Sequence, residues 1–210
     1  MSKKADKEAI IKEICIAARL YKENLVGKRF LYVFDGRYIE VLYKNSNFKH
    51  LTGVECIMSA RDFYKNALKR RLSASQIYFT GSHPYSLCKR KIKHLCAISA
   101  LASSETFMLE EIATESRAYK FGATNLDFTL CMNREYDSNG MAKGDCYIAE
   151  SLRDEDCFKK SSHVYTVTHI LAKDNTERLY TDIVFMDKAT DMQELPQEVS
   201  KMVDGELLGH

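Results

Sequence analysis

Apolar residues recur at helical spacing near the N-terminus and at spacing two beyond about residue 115, and this change of period constrains the fold most. Ile10, Ile11, Ile14, Ala17, Ala18, Tyr21 and Leu25 form one stripe, which predicts an amphipathic helix over 7–25 closed near Gly27. Two β-rich runs follow, Phe30–Phe34 and Tyr38–Tyr43. They are joined by Asp35-Gly36, a pair suited to the positive φ values of a tight hairpin. Ser59, with Asp62 three residues on, reads as a variant capping box opening a second helix. Ala60, Phe63, Tyr64, Ala67 and Leu68 share its apolar face, with Phe63 as a core anchor, and Arg61, Lys65, Lys69 and Arg70 take much of the rest. Pro84 opens a third helix, lined on one side by Cys88, Ile92, Leu95, Cys96 and Ser99. Lys89 and Lys93 project from it in successive turns, as do Arg90 and His94.

In the second half Leu126, Phe128, Leu130 and Met132 alternate with polar residues, the pattern of a half-buried strand. Asp137–Gly144 reads as a loop and 145–151 as a further strand. Val164–Leu171 and Leu179–Met186 flank a turn at Lys173-Asp174-Asn175. Helices first and strands later predict an α+β fold, with N-terminal helices packed on a mostly antiparallel sheet. A chain of 210 residues fits one domain of ordinary size, expected over 1–190. Residues 191–210 read as an acidic C-terminal tail, helical or mobile, whose removal the fold should tolerate.

Charge is distributed unevenly. Between Lys44 and His94 eleven basic residues face only Glu55 and Asp62, a net +9, and His50, His83 and His94 lie in the same stretch. From Asp187 onward six acids face two lysines, a net −4. Such asymmetry is an argument about partners, and it points to a polyanion. The seven cysteines are odd in number and lack a C-x-x-C pair, which fits reduced, buried thiols better than a disulfide framework or a common zinc site. No apolar run reaches the roughly 20 residues of a membrane helix, and the N-terminus lacks a signal-type apolar segment. The expectation is a cytoplasmic protein with no membrane partner.

Several chemistries lack their motifs. There is no G-x-G-x-x-G, Walker A or H-E-x-x-H sequence, and no glutamate stands two residues before a lysine. The basic region lacks the carboxylates that would cluster around a catalytic metal, so no metal and no cofactor are expected. RNA can be cleaved without metal, because its 2′-hydroxyl is the nucleophile and the protein supplies a base, an acid and positive charge. His50 stands in FKHLTG between Lys49 and Thr52, with Gly53 allowing close backbone approach. Spacing alone favours a simpler reading, in which His50 and Thr52 end a loop through local hydrogen bonds.

The stretch NSNFKHLTGVECIMSARDFYKNALKRRLSASQI resembles the start of the phage barnase–EndoU–colicin–RelE-like nuclease domains, in their fourth subgroup. FKHLTG is followed by an aromatic pair, Phe63-Tyr64, and by a basic helix, KRKIKHL. The runs YKFGATNLDFTLCM and YIAESL and the hairpin HVYTVTHILAKDNTERLYTDIVFMD match the strand-rich half of such domains, so the likeness extends over most of 28–187. It implies an RNase-like fold and metal-independent RNA cleavage. It assigns catalysis to His50 and Thr52, the phosphate-binding cation to Lys93 or Lys89, and further roles to Ser151 and His169. The prolines expected just before Ser151 are absent, a departure from the pattern. Lys49, Lys65, Lys69, Arg70, Lys89 and Arg90 complete the expected RNA-binding set.

The reading is an endoribonuclease of a phage or mobile element, acting in the bacterial host cytoplasm on transfer RNA, messenger RNA or a CRISPR guide RNA. The alternatives are a non-catalytic inhibitor that binds a CRISPR effector ribonucleoprotein and an RNA-binding module with a decayed site.

Overall fold

The structure, a computed structural model, describes residues 4–115 and 117–209. Helix α1 (Lys4–Asn24) buries the stripe that its spacing predicts, from Ile10 to Tyr21. Strands β1 (Lys28–Phe34) and β2 (Arg37–Leu42) form the hairpin, with Asp35 and Gly36 at φ 51° and 66°. Two successive left-handed residues make a type I′ turn, whose twist matches that of the flanking strands. A short helix α2 (Phe48–Thr52) leads to a small ribbon of β3 (Glu55–Cys56) and β4 (Ile77–Tyr78). Between these two strands lies α3 (Ala60–Leu68), capped by Ser59, whose hydroxyl accepts from the Asp62 N–H and donates to its carboxylate. Pro84 is the N-cap of α4 (Tyr85–Leu95), one position earlier than expected, and α5 (Ile98–Leu101) follows.

The strand-rich half begins earlier than the alternating pattern suggests. β5 (Phe107–Ala113), β6 (Ala118–Thr124), β7 (Thr129–Tyr136) and β8 (Ala142–Arg153) form an antiparallel meander. The strand expected from Leu126 starts instead at Thr129. Leu126 has φ 80° and belongs to the β6–β7 turn, where the Thr124 hydroxyl accepts from its N–H and donates to the Phe128 carbonyl. β8 runs parallel to β2, and all other strand pairs are antiparallel. β9 (His163–Asp174) bonds β5 through its first half and β1 through its second, while β10 (Asp182–Met186) pairs with its C-terminal half. The expected turn at 173–175 therefore lies later, because β9 continues to Asp174 and β10 begins only at Asp182.

Because β1 bonds both β2 and β9, seven strands close on themselves. Phe34, Phe121, Tyr147 and Tyr165, from four different strands, meet inside with ring centroids 5.0–5.9 Å apart. The same core continues into the helices, where Tyr21 packs against Tyr43, Phe48 and Tyr64. Phe30, Tyr32 and Phe34 of β1 face this core; Leu31 and Val33 face the other way, as alternation requires. Leu31 and Val33 are covered by the chain after Asp187, including α6 (Gln197–Ser200), through buried Leu195, Val199 and Val203. The C-terminal segment is thus docked by apolar contacts despite its acidity. The whole is an α+β fold with N-terminal helices packed on a mostly antiparallel sheet.

Candidate functional site

FKHLTG forms α2 and its exit. Phe48 and Leu51 are fully buried anchors, and Gly53 closes the helix at φ +71°. Thr52 is buried as well: its hydroxyl donates to the Lys49 carbonyl at 2.7 Å and accepts from the Val54 N–H at 3.2 Å. Thr52 thus fixes the end of α2 rather than presenting its hydroxyl outward. Lys49 turns to the Cys56 carbonyl, 3.2 Å away. His50 keeps a solvent-exposed edge. Its pKa is lowered first by burial of the remaining ring and then by Lys49; Lys91 also lowers it, while Glu55 and Glu150 act the other way.

Those four neighbours come from four elements, α2, β3, α4 and β8, and α2 itself packs against both α4 and β8. The same junction holds a cleft of about 640 Å³, lined by His83 before α4, by Lys91 on it, and by Ser151 and Arg153 at the end of β8. Lys91 is only 8% exposed and has no ion-pair or side-chain hydrogen-bond partner among the described residues. Burial, followed by the charge of Arg153, lowers its pKa. The Ser151 hydroxyl, on a residue 9% exposed, likewise has no partner among the described residues. His83 Nδ1 lies 2.9 Å from Glu55 Oε1. Of the other charges of the cleft, Arg117 meets Glu150 at 3.0 Å, Arg90 meets Asp154 at 3.3 Å and Glu155 meets Lys160 at 2.7 Å, while Arg153 donates to the Thr114 and Tyr119 hydroxyls at 3.2 Å. His94 is stacked on Phe128 and bonded to the same Asp154.

The expected site residues are therefore divided. His50, Ser151 and Arg90 gather around the junction of α2, α4 and β8, with Thr52 beneath. Lys89 and Lys93 leave α4 on another side and line a groove against α1. Lys65, Lys69 and Arg70 are exposed on α3 and just after it. His169 is 1% exposed and pairs across the sheet with Val33, so it lies on the face covered by the C-terminal segment. Its Nε2 donates to the Asp191 carbonyl at 3.0 Å. Glu55, His83 and Lys91 join the site without having been singled out as site residues. Their signal was membership of the basic third; their convergence depends on how α2, the β3–β4 ribbon and α4 pack.

Among the described residues no three His, Cys, Asp or Glu side chains are grouped so as to hold a metal ion, and no helix is long and apolar enough to cross a membrane. No curated protein and no solved structure matches the chain significantly. A family model described as phage-Barnase-EndoU-ColicinE5/D-RelE like nuclease4 matches residues 13–189, which include every element from α2 to β10. The chain belongs to this family of nuclease-like proteins.

Proposed function

We propose that the chain is an endoribonuclease that cleaves RNA through the RNA's own 2′-hydroxyl, without a metal ion. Lys91 carries this reading: a buried cation without an ion-pair or side-chain hydrogen-bond partner among the described residues, sharing a cleft with the Ser151 hydroxyl and His83, and near enough to His50 to help lower its pKa. A scissile phosphate would supply its missing counter-charge. In a site of low dielectric, such a cation stabilises the extra negative charge that develops at phosphorus.

His50, kept neutral by desolvation and by Lys49, accepts the 2′-hydroxyl proton. The 2′-oxygen bonds to phosphorus as the bond from phosphorus to the 5′-oxygen breaks. His83, facing Glu55, is positioned to give a proton to the leaving oxygen. Ser151 orients a non-bridging phosphate oxygen, and Thr52 acts through the position of α2. Lys91 takes the part expected of Lys93, and His169 has none. On this reading the protein works in the bacterial host cytoplasm.

The test incubates purified protein with transfer RNA, messenger RNA and a CRISPR guide RNA, each with and without EDTA. EDTA-resistant cleavage leaving 2′,3′-cyclic phosphate and 5′-hydroxyl ends is expected, and the three arms identify the target. His50→Ala should lower the rate about 10²–10⁴-fold. Magnesium-dependent cleavage or 3′-hydroxyl ends would refute the mechanism. Binding of RNA or of a CRISPR effector without cleavage would favour a non-catalytic inhibitor.

A further inference from the structure

Helix α4 carries cations toward two different surfaces. Lys91 and Arg90 line the cleft, whereas Lys89 and Lys93 line a groove of about 500 Å³ against α1, together with Lys12. Lys12 also lines a neighbouring groove of about 350 Å³ with Arg19 and Arg70. One lysine thus joins the two grooves into a face built from α1, the end of α3 and α4. All five side chains are exposed, and none has an ion-pair partner among the described residues. The acids in these grooves are Glu8 and Glu13, and Glu8 is already 3.7 Å from Lys4.

Arg70 gives a second, independent observation. It follows α3 at φ 53°, with its own N–H bonded to the Ala67 carbonyl and the next N–H, of Arg71, bonded to the Asn66 carbonyl. That closure places a left-handed residue where glycine is favoured and a side chain is strained. Residues held in this way cluster at active sites and ligand clamps.

We infer that this outer face binds the phosphate backbone of RNA at a distance from the scissile bond, so that the preferred substrate is a large, structured RNA rather than a short strand. The inference rests on the RNA-cleavage reading and names its substrate class. A helix with its side chains is about 10 Å across. RNA held in the cleft must therefore pass beyond α4 to reach Lys12, Arg19 and Arg70. Unpaired exposed cations gain affinity there by releasing counterions from the polyanion.

The experiment compares the wild-type chain with a Lys12→Glu, Arg19→Glu, Arg70→Gly variant on two substrates, a transfer-RNA-sized RNA and a tetranucleotide. On the large RNA, kcat/KM should fall about tenfold or more, chiefly through KM, and the salt dependence should flatten by about 2–3 in log–log slope. On the tetranucleotide the two proteins should be alike. Equal losses on both substrates, or no loss on either, would overturn the inference. Arg70→Gly alone should keep or raise Tm while weakening binding of the large RNA; a lower Tm with unchanged binding would count against it. If the wild-type chain cleaves neither substrate, the cleavage reading fails by itself. Gel-shift affinities then decide on the outer face, which is refuted if the triple variant binds the large RNA as the wild type does.

Discussion

Lys91 crosses directly over Gly53: a Cβ built on Gly53 would stand 2.9 Å from Lys91 Cδ. The motif glycine thereby does two things. Its φ of +71° ends α2, and its missing side chain leaves room for the stem that carries the cleft's cation. Cys88, one turn before Lys91 on α4, adds a hydrogen bond from its thiol to the Gly53 carbonyl at 3.0 Å. Gly53→Ala should lower stability by about 1–2 kcal/mol from the left-handed backbone alone. Cleavage should fall further than that loss of folded protein explains, because the Lys91 stem must move. Denaturant unfolding and kcat/KM measured on the same preparation separate the two effects.

Lys91→Met keeps the stem and removes the charge. Cleavage should drop about 10²–10³-fold, the usual result of losing one electrostatic stabiliser of a transition state. Stability should stay level or rise, since an uncompensated buried charge is removed. Lys93→Ala, on the far side of α4, should leave tetranucleotide cleavage within about threefold of wild type. A thermal melt and initial rates on the short substrate check both variants.

The pH dependence follows from His50. Desolvation first and Lys49 second hold its pKa below the ordinary histidine value, so the neutral base persists to lower pH. The acidic limb of the kcat/KM profile should therefore fall below about pH 6.5. Lys49→Met removes one of the depressing charges and should shift that limb upward. A limb that stays in place would mean that another group is the base.

Glu110 sits at the edge of the strand ring between Arg37 at 2.7 Å and Lys120 at 3.0 Å. The hydrogen bond from Arg37, followed by that from Lys120, takes its pKa down to about 2. An unfolded glutamate titrates near about 4.3, so the contribution is complete above that pH and is lost as pH falls toward 2. Glu110→Gln should destabilise the neutral protein by on the order of 1 kcal/mol, since both cationic partners are more than a third exposed and water screens them. The gap to wild type should narrow as pH drops through this window, as urea midpoints at pH 7, 4 and 2.5 would show.

Removing residues 192–210 should lower Tm or abolish soluble expression, contrary to what the acidity of the segment suggests. The deletion strips Leu195, Val199 and Val203 from Leu31, Val33, Leu171 and Tyr180, and each buried aliphatic side chain is worth about 1.5–3 kcal/mol. Truncation after Met186 would in addition remove Asp191, whose carbonyl accepts from His169 Nε2. Truncating after Met186 and after Ser200 in parallel would grade the effect.

The sequence alone determined what local chemistry decides. The α1 stripe, the Asp35-Gly36 turn, the Ser59 cap and the placement of Phe63 in the core follow from backbone preferences and from the period of apolar residues. The basic third and the FKHLTG element were legible for the same reason, since charge and motif are properties of neighbouring letters. Closure of the strands was not legible, because β1 finds β9 across more than half the chain and alternation tells which face is apolar but not which strand is next. Nor could spacing choose among Lys89, Lys91 and Lys93. They follow one another at two-residue steps on one helix, and successive steps of 200° send their side chains to different sides. Only the packing of α4 against α1 on one flank and against α2 and β8 on the other made Lys91 the buried cation and left Lys89 and Lys93 in the outer groove.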